Sequence, residues 1–276
     1  MKTLRYLQKK KENMEPIVML TAYDFPSASL AEDASVDIIL VGDSLGMVVL
    51  GYESTIRVTV ADMVHHARAV KRGAENTLIV VDMPYLTYHG SIEQTVETAR
   101  YMMQETGAHA LKLEGGQDIC PQIETLVKGG VPIIGHLGLT PQSVGVLGGF
   151  RIQGKTADQA AQLLDDAKAL ERAGVSAIVI ECVPAEVASD LTKALNIPVI
   201  GIGAGAETDG QVLVYHDVLN YSPAKAPSFA KVYDQSYVRM KTALTHFAEE
   251  VRTRAFPDAS HSFAMTDDEL KKWRSR

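Results

Sequence analysis

Five short apolar runs in this chain stop on, or just before, a side chain that can titrate. Val36-Asp-Ile-Ile-Leu-Val-Gly leads to Asp43 and Ser44, and Leu78-Ile-Val-Val leads to Asp82. Ala110-Leu-Lys-Leu leads to Glu114 with Lys112 two places earlier, Pro132-Ile-Ile-Gly to His136, and Ala177-Ile-Val-Ile to Glu181. Asp43, Asp82 and Glu114 form a hard, all-oxygen set, which suits Mg2+ and not a thiolate-seeking metal. Zinc is disfavoured because His65 and His66 are adjacent and fall on a predicted helix, without a zinc-ligand spacing. Lys112 lies among acids that reinforce its charge, so it reads as a clamp on an anionic substrate rather than an imine-forming nucleophile. Glu181 stands on a different run from the metal acids. It is free to take a proton from carbon beside a metal-polarised carbonyl, with His136 bonding the substrate or relaying the proton. The competing structural readings are helix-capping acids and a satisfied core histidine. Gln142–Lys155, rich in glycine and carrying Phe150 and Arg151, reads as a mobile cover. Gly201-Ile-Gly-Ala-Gly lacks a nucleotide-binding spacing and reads as close backbone packing at the site's mouth.

Such side chains need strand ends to hold them. The apolar runs alternate with helical patterns, and Ile17-Val-Met-Leu-Thr and Pro198-Val-Ile-Gly-Ile-Gly add further strands. Val212-Leu-Val-Tyr-His is the weakest, an eighth. Strand and helix alternating at this rhythm mean a parallel sheet with right-handed crossovers, its strands covered on both faces. Seven or eight such units fit a (β/α)8 TIM barrel, in which chemistry sits at the C-terminal strand ends. In Leu111-Lys112-Leu113-Glu114 the two charged residues share one face, pointing into the barrel, and the leucines share the other. Ser91 before Gln94 and Thr266 before Glu269 are capping-box patterns. One barrel domain over 1–276 is expected, with 222–276 as a helical extension and tail.

The composition narrows the class of function. A net charge of −7 lacks the basic footprint of nucleic-acid binding. Cys120 and Cys182 are the only cysteines, too few for a disulfide framework. The basic start lacks the apolar core of a signal peptide, and no apolar run approaches a membrane span. A cytoplasmic location without membrane contact is the expectation.

Five motifs together carry a resemblance. Val41-Gly-Asp-Ser-Leu-Gly-Met, Lys112-Leu-Glu-Gly-Gly, Gly135-His-Leu-Gly-Leu-Thr-Pro-Gln-Ser, Glu181-Cys-Val-Pro and Gly201-Ile-Gly-Ala-Gly with Thr208-Asp-Gly-Gln resemble the ketopantoate hydroxymethyltransferase family. The resemblance runs from about Glu15 to Phe263. It implies the phosphoenolpyruvate/pyruvate type of TIM barrel. It also implies transfer of a hydroxymethyl group from 5,10-methylenetetrahydrofolate to 2-oxoisovalerate through a Mg2+-stabilised enolate, giving ketopantoate for pantothenate synthesis. By that likeness Asp43, Asp82 and Glu114 hold Mg2+. Asp43, Ser44, Asp82 and Lys112 contact substrate, Glu181 is the base, and His136 is an active-site histidine. The likeness also implies a homo-oligomer, a decamer. The folate site is marked by no residue set, and the tail after Phe263 has no assigned role. The rival activity is a Mg2+-dependent carbon–carbon lyase or decarboxylase of a 2-oxo acid on the same barrel.

Overall fold

The computed structural model describes residues 2–276. Eight parallel strands close into a barrel in sequence order: β1 Ile17–Thr21, β2 Ile38–Val41, β3 Leu78–Asp82, β4 Ala110–Glu114, β5 Ile133–Gly138, β6 Ala177–Glu181, β7 Val199–Ile202 and β8 Gly210–Leu213. β8 begins earlier than its apolar run suggests, because Gly210 pairs with both Ile17 and Ile200. A Cβ at Gly210 would lie 2.3 Å from the Ile17 carbonyl oxygen, so only glycine lets β8 close the barrel there. Tyr215 and His216 belong to the next helix.

The helices are α1 Leu4–Glu12, α2 Phe25–Asp33, α3 Leu45–Val48, α4 Val60–Gly73, α5 Ile92–Thr106 and α6 Cys120–Lys128. They continue with α7 Val144–Leu147, α8 Ala157–Ala173, α9 Ala185–Ala194, α10 Tyr215–Leu219, α11 Ser236–Thr253 and α12 Asp267–Arg274. Their starts follow side-chain caps: the Ser91 hydroxyl accepts from Gln94 N and the Thr156 hydroxyl from Gln159 N. Gly107 and Gly174 end α5 and α8. The expected Thr266 cap is not made. α12 lies in solvent, where water serves its free amides and Asp267, Asp268 and Glu269 complement the helix dipole.

Period-two alternation divides the core into two layers. Ile39, Val41, Ile79, Val81, Leu111, Leu113, Ile178 and Ile180 face outward onto Val64, Ala67, Met102, Leu126 and Leu170 of the helices. Met19, Ile38, Leu40, Val80, Ile134, Val179 and Ile200 fill the barrel. Leu7 of α1 plugs its lower end, fully buried, which contributes about 2 kcal/mol. Asp37 clamps that plug. It accepts from Tyr6 Oη at 2.9 Å and Val18 N at 2.9 Å, and pairs with Lys10 at 2.6 Å. Among the described residues no helix is long and apolar enough to cross a membrane.

Candidate active site

Parallel register, not sequence proximity, assembles the charged strand ends. Asp82 is the cross-strand neighbour of Lys112, Glu114 of His136, and Glu181 of Gly138. Adjacent strands lie about 5 Å apart, so side chains on the same face must meet. Gly138 lets β5 and β6 approach closely. It has φ +87°, and a Cβ there would lie 2.2 Å from the Glu181 carbonyl oxygen.

The resulting cluster is buried and charged. Asp43, Asp82, Lys112, Glu114 and His136 are each 3 % exposed or less. Lys112 Nζ lies 2.9 Å from Asp82 Oδ1, 3.7 Å from Glu114 Oε1 and 3.2 Å from His136 Nδ1. His136 bridges two acids, with Nδ1 3.1 Å from Glu114 Oε1 and Nε2 3.3 Å from Glu181 Oε2. Ser44 Oγ meets Tyr23 Oη at 2.9 Å. All seven residues singled out in the sequence therefore line one cavity of about 740 Å³ at the C-terminal mouth of the barrel.

No acid of the cluster caps a helix. Asp43 Oδ2 accepts from Gln142 Nε2 at 2.8 Å, Asp82 Oδ2 from Asp43 N at 3.0 Å, and Glu114 Oε2 from Gln142 N at 3.0 Å. Burial, then the Asp82 and Glu114 charges, push Asp43 well above the carboxylate range. Burial also raises Asp82, against the opposing pull of Lys112. In Glu114 burial works upward too, but His136, Lys112 and the Gln142 amide outweigh it and hold the group low. Burial disfavours the Lys112 ammonium, yet three acids overcome it and raise the group, so the lysine stays charged. For His136, burial and Lys112 pull downward, while Glu114 and Glu181 hold it up at about 9. Its Nδ1 lies within reach of both the Glu114 carboxylate and the Lys112 ammonium, while Nε2 is buried facing Glu181 without an aligned hydrogen bond.

Among the described residues no three His, Cys, Asp or Glu side chains form a ready-made ion cage. Mg2+ does not need one, because it keeps waters and binds through one or two carboxylates plus substrate oxygens. The residues fit that mode. Asp82 Oδ1 is buried and accepts no aligned hydrogen bond, although the Lys112 ammonium lies beside it. The like-charge repulsion on Asp43 is what a divalent cation would relieve.

Three residues of the site escaped the sequence reading. Tyr88 and Gln142 are buried among the acids, and Tyr23 holds Ser44. Each lies just past a strand's C-terminal end, which is the one signal that could have marked them. Gln142 was read as part of the cover. Its neighbours Phe150, Arg151 and Ile152 do line the cavity mouth, but Gln142 itself is 5 % exposed and bonded to Asp43. Cys182 also lines the cavity, its thiol pushed up to about 11 by burial and by the Glu181 charge. Phe229 stands over Gly203 at the end of β7.

Comparison with known proteins gives the family and the fold. The chain resembles 3-methyl-2-oxobutanoate hydroxymethyltransferase of Geobacillus sp. (strain WCH70), 57% identical over 98% of this chain and 96% of the relative. It is 57% identical to the protein of that name from Halalkalibacterium halodurans, over 99% of this chain and 98% of the relative. Among solved structures, a phosphonopyruvate hydrolase in complex with oxalate and Mg2+ superposes with TM-score 0.61 at 12% identity, covering 100% of this chain and 99% of that one. A phosphoenolpyruvate phosphomutase from Streptomyces platensis subsp. rosaceus superposes with TM-score 0.61 at 14% identity, covering 99% and 97%. Those two share the barrel fold. The family model for ketopantoate hydroxymethyltransferase matches residues 1–259, and the chain belongs to that family of transferases.

Proposed function

We propose that the protein forms ketopantoate by adding the one-carbon unit of 5,10-methylenetetrahydrofolate to C3 of 2-oxoisovalerate. The observation that carries this reading is the division of the buried charges around one cavity. Asp43, Asp82 and Glu114 lie on one side, Lys112 among them, and Glu181 opposite across His136. Asp43 and Asp82, with Glu114 behind them, would hold Mg2+. When bound, the ion polarises the keto group and so acidifies C3. Lys112 and Ser44 bind the substrate's carboxylate and keto oxygens. Water first cleaves both C–N bonds of the methylene bridge, releasing tetrahydrofolate and the one-carbon unit at the oxidation level of formaldehyde. Glu181, on β6 and outside the acid cluster, removes the C3 proton, the carbanion attacks that carbonyl carbon, and the resulting alkoxide takes up a proton to become the hydroxymethyl group. His136, with Nδ1 beside Glu114, turns Nε2 towards Glu181 at 3.3 Å and so stands next to the base.

The cavity supports the second substrate too. At about 740 Å³ it greatly exceeds what a small branched keto acid fills. Its outer part carries Phe150, Ile152 and Phe229 for an aromatic ring system, and Arg151 and Lys225 as cations for carboxylates. Among the described residues neither cation has a salt-bridge partner. A lyase reading has no comparable use for that outer chamber. We place the chemistry in a single barrel domain, with 222–276 as an appendage, working as a homo-oligomer. Support for self-association comes from Val238, Leu244 and Phe247 of α11, each more than half exposed at 56%, 65% and 53%.

The test is ketopantoate formation from 2-oxoisovalerate and methylenetetrahydrofolate, with and without a chelator. Product that vanishes on chelation and returns with Mg2+ supports the reading. Cleavage of 2-oxo acids without any one-carbon transfer would replace it with the lyase.

A further inference from the structure

We propose that Gln142, locked by Tyr88, is a positioning residue that sets Asp43 and Glu114 for the divalent cation. This inference rests on the cation reading of the acids. Gln142 joins three strand ends with one side chain and its own backbone. Its Nε2 donates to Asp43 Oδ2 at 2.8 Å and to the Met83 carbonyl at 2.9 Å. Its backbone N–H donates to Glu114 Oε2 at 3.0 Å. Its Oε1 accepts from Tyr88 Oη at 2.7 Å, and that oxygen accepts from Glu114 N at 3.0 Å.

The orientation of the amide is forced. The Met83 carbonyl can only accept, so the NH2 group must face it. The Tyr88 hydroxyl already accepts from Glu114 N, so its proton goes to Oε1. Every hydrogen-bonding group of the glutamine side chain is thereby used inside a buried shell, Tyr88 being 0 % exposed.

The residue type matters as much as the geometry. Buried like charges splay apart unless something holds them, and a lysine or arginine here would also neutralise them and compete with the cation. A neutral amide fixes the carboxylates and leaves their charge available. Gln142 also begins the segment that carries Phe150 and Arg151 over the mouth, so the cover is anchored on the acids themselves.

Partners of this kind that orient metal ligands typically alter metal affinity 10–100-fold when removed, by about that factor across known sites. The test uses the full-length protein with Gln142→Met, which keeps the side chain's length, and Tyr88→Phe, which removes only a hydroxyl. Mn2+ binding is followed by electron paramagnetic resonance, and deuterium exchange at C3 of 2-oxoisovalerate is measured against Mg2+ concentration. Both variants should bind Mn2+ at least about tenfold more weakly. Exchange should recover at saturating Mg2+, so that the effect falls on the metal requirement and not on the maximal rate. Mn2+ affinity within twofold of wild type in either folded variant would overturn the proposal. So would exchange lost equally at every Mg2+ concentration. If the wild-type protein binds no Mn2+ and exchanges in chelator, the cation reading fails, and the relay's role falls with it.

Discussion

Lys112→Met removes the one ammonium among the buried acids while filling its space with an unbranched, adaptable chain. At an effective dielectric of about 20, the contact of 2.9 Å to Asp82 is worth about 6 kcal/mol and that of 3.7 Å to Glu114 about 4. The net loss is smaller, because the ammonium's own desolvation cost disappears; removing one partner of a buried pair typically costs about 3–5 kcal/mol. Proton uptake caps it. Asp82 can bind a proton instead of keeping an unpaired charge, which at pH 7.5 costs at most about 5 kcal/mol from its ordinary value of 3.8. The variant should therefore lose about 3–5 kcal/mol at pH 7.5 in chelator, measured by urea unfolding at one protein concentration. An acid whose folded pKa is raised contributes fully below its unfolded pKa and progressively less as pH rises towards its folded one. The deficit should accordingly shrink at pH 5.5. Mg2+ should also shrink it, by replacing the missing positive charge. A deficit under about 1 kcal/mol, or one indifferent to both pH and Mg2+, would refute the charge-balance argument.

Three further outcomes follow from the geometry. Glu181→Gln should slow C3 deuterium exchange of 2-oxoisovalerate by about 10²–10⁴-fold while Mn2+ affinity changes less than twofold; retained exchange would remove Glu181 as the base. Asp37→Asn should lower stability at neutral pH by about 1–3 kcal/mol, through the lost contacts to Lys10, Tyr6 and Val18. Burial raises Asp37, but the Lys10 bond and its other partners outweigh it and depress the group. Its contribution is thus present above the ordinary carboxylate value and lost as pH falls through the folded one, so the variant's acid-unfolding limb should be shallower below about pH 4. Arg151→Ala should raise KM for methylenetetrahydrofolate without changing C3 exchange, which needs no folate; slowed exchange would move Arg151 into the keto-acid site.

Much of the molecule could be read along the chain because strand ends are local. Apolar runs of four or five residues ending in a charge announce both the strand and its reactive end, and alternation puts Lys112 and Glu114 on one face without knowledge of any neighbour. The Ser91 cap was local as well. Legibility fails where a residue's role depends on a partner distant in sequence. Gln142 sits among loop residues and looks like one. Only its approach to Asp43, 99 positions away, makes it part of the acid cluster. β8 was misplaced for the same reason, since a glycine start is invisible until β1 lies beside it.

The sequence alone determined the barrel, the strand-end acids and the family, because periodicity, residue type and motif are properties of short stretches. The tertiary structure decided the division of labour. Parallel register set His136 between Glu114 and Glu181, whose carboxylates push its pKa up. Burial raised Asp43 while its neighbours kept Glu114 low. Those charge states come from distances of about 3 Å between groups on different strands, and Coulomb interactions across such gaps exist only once the barrel has closed.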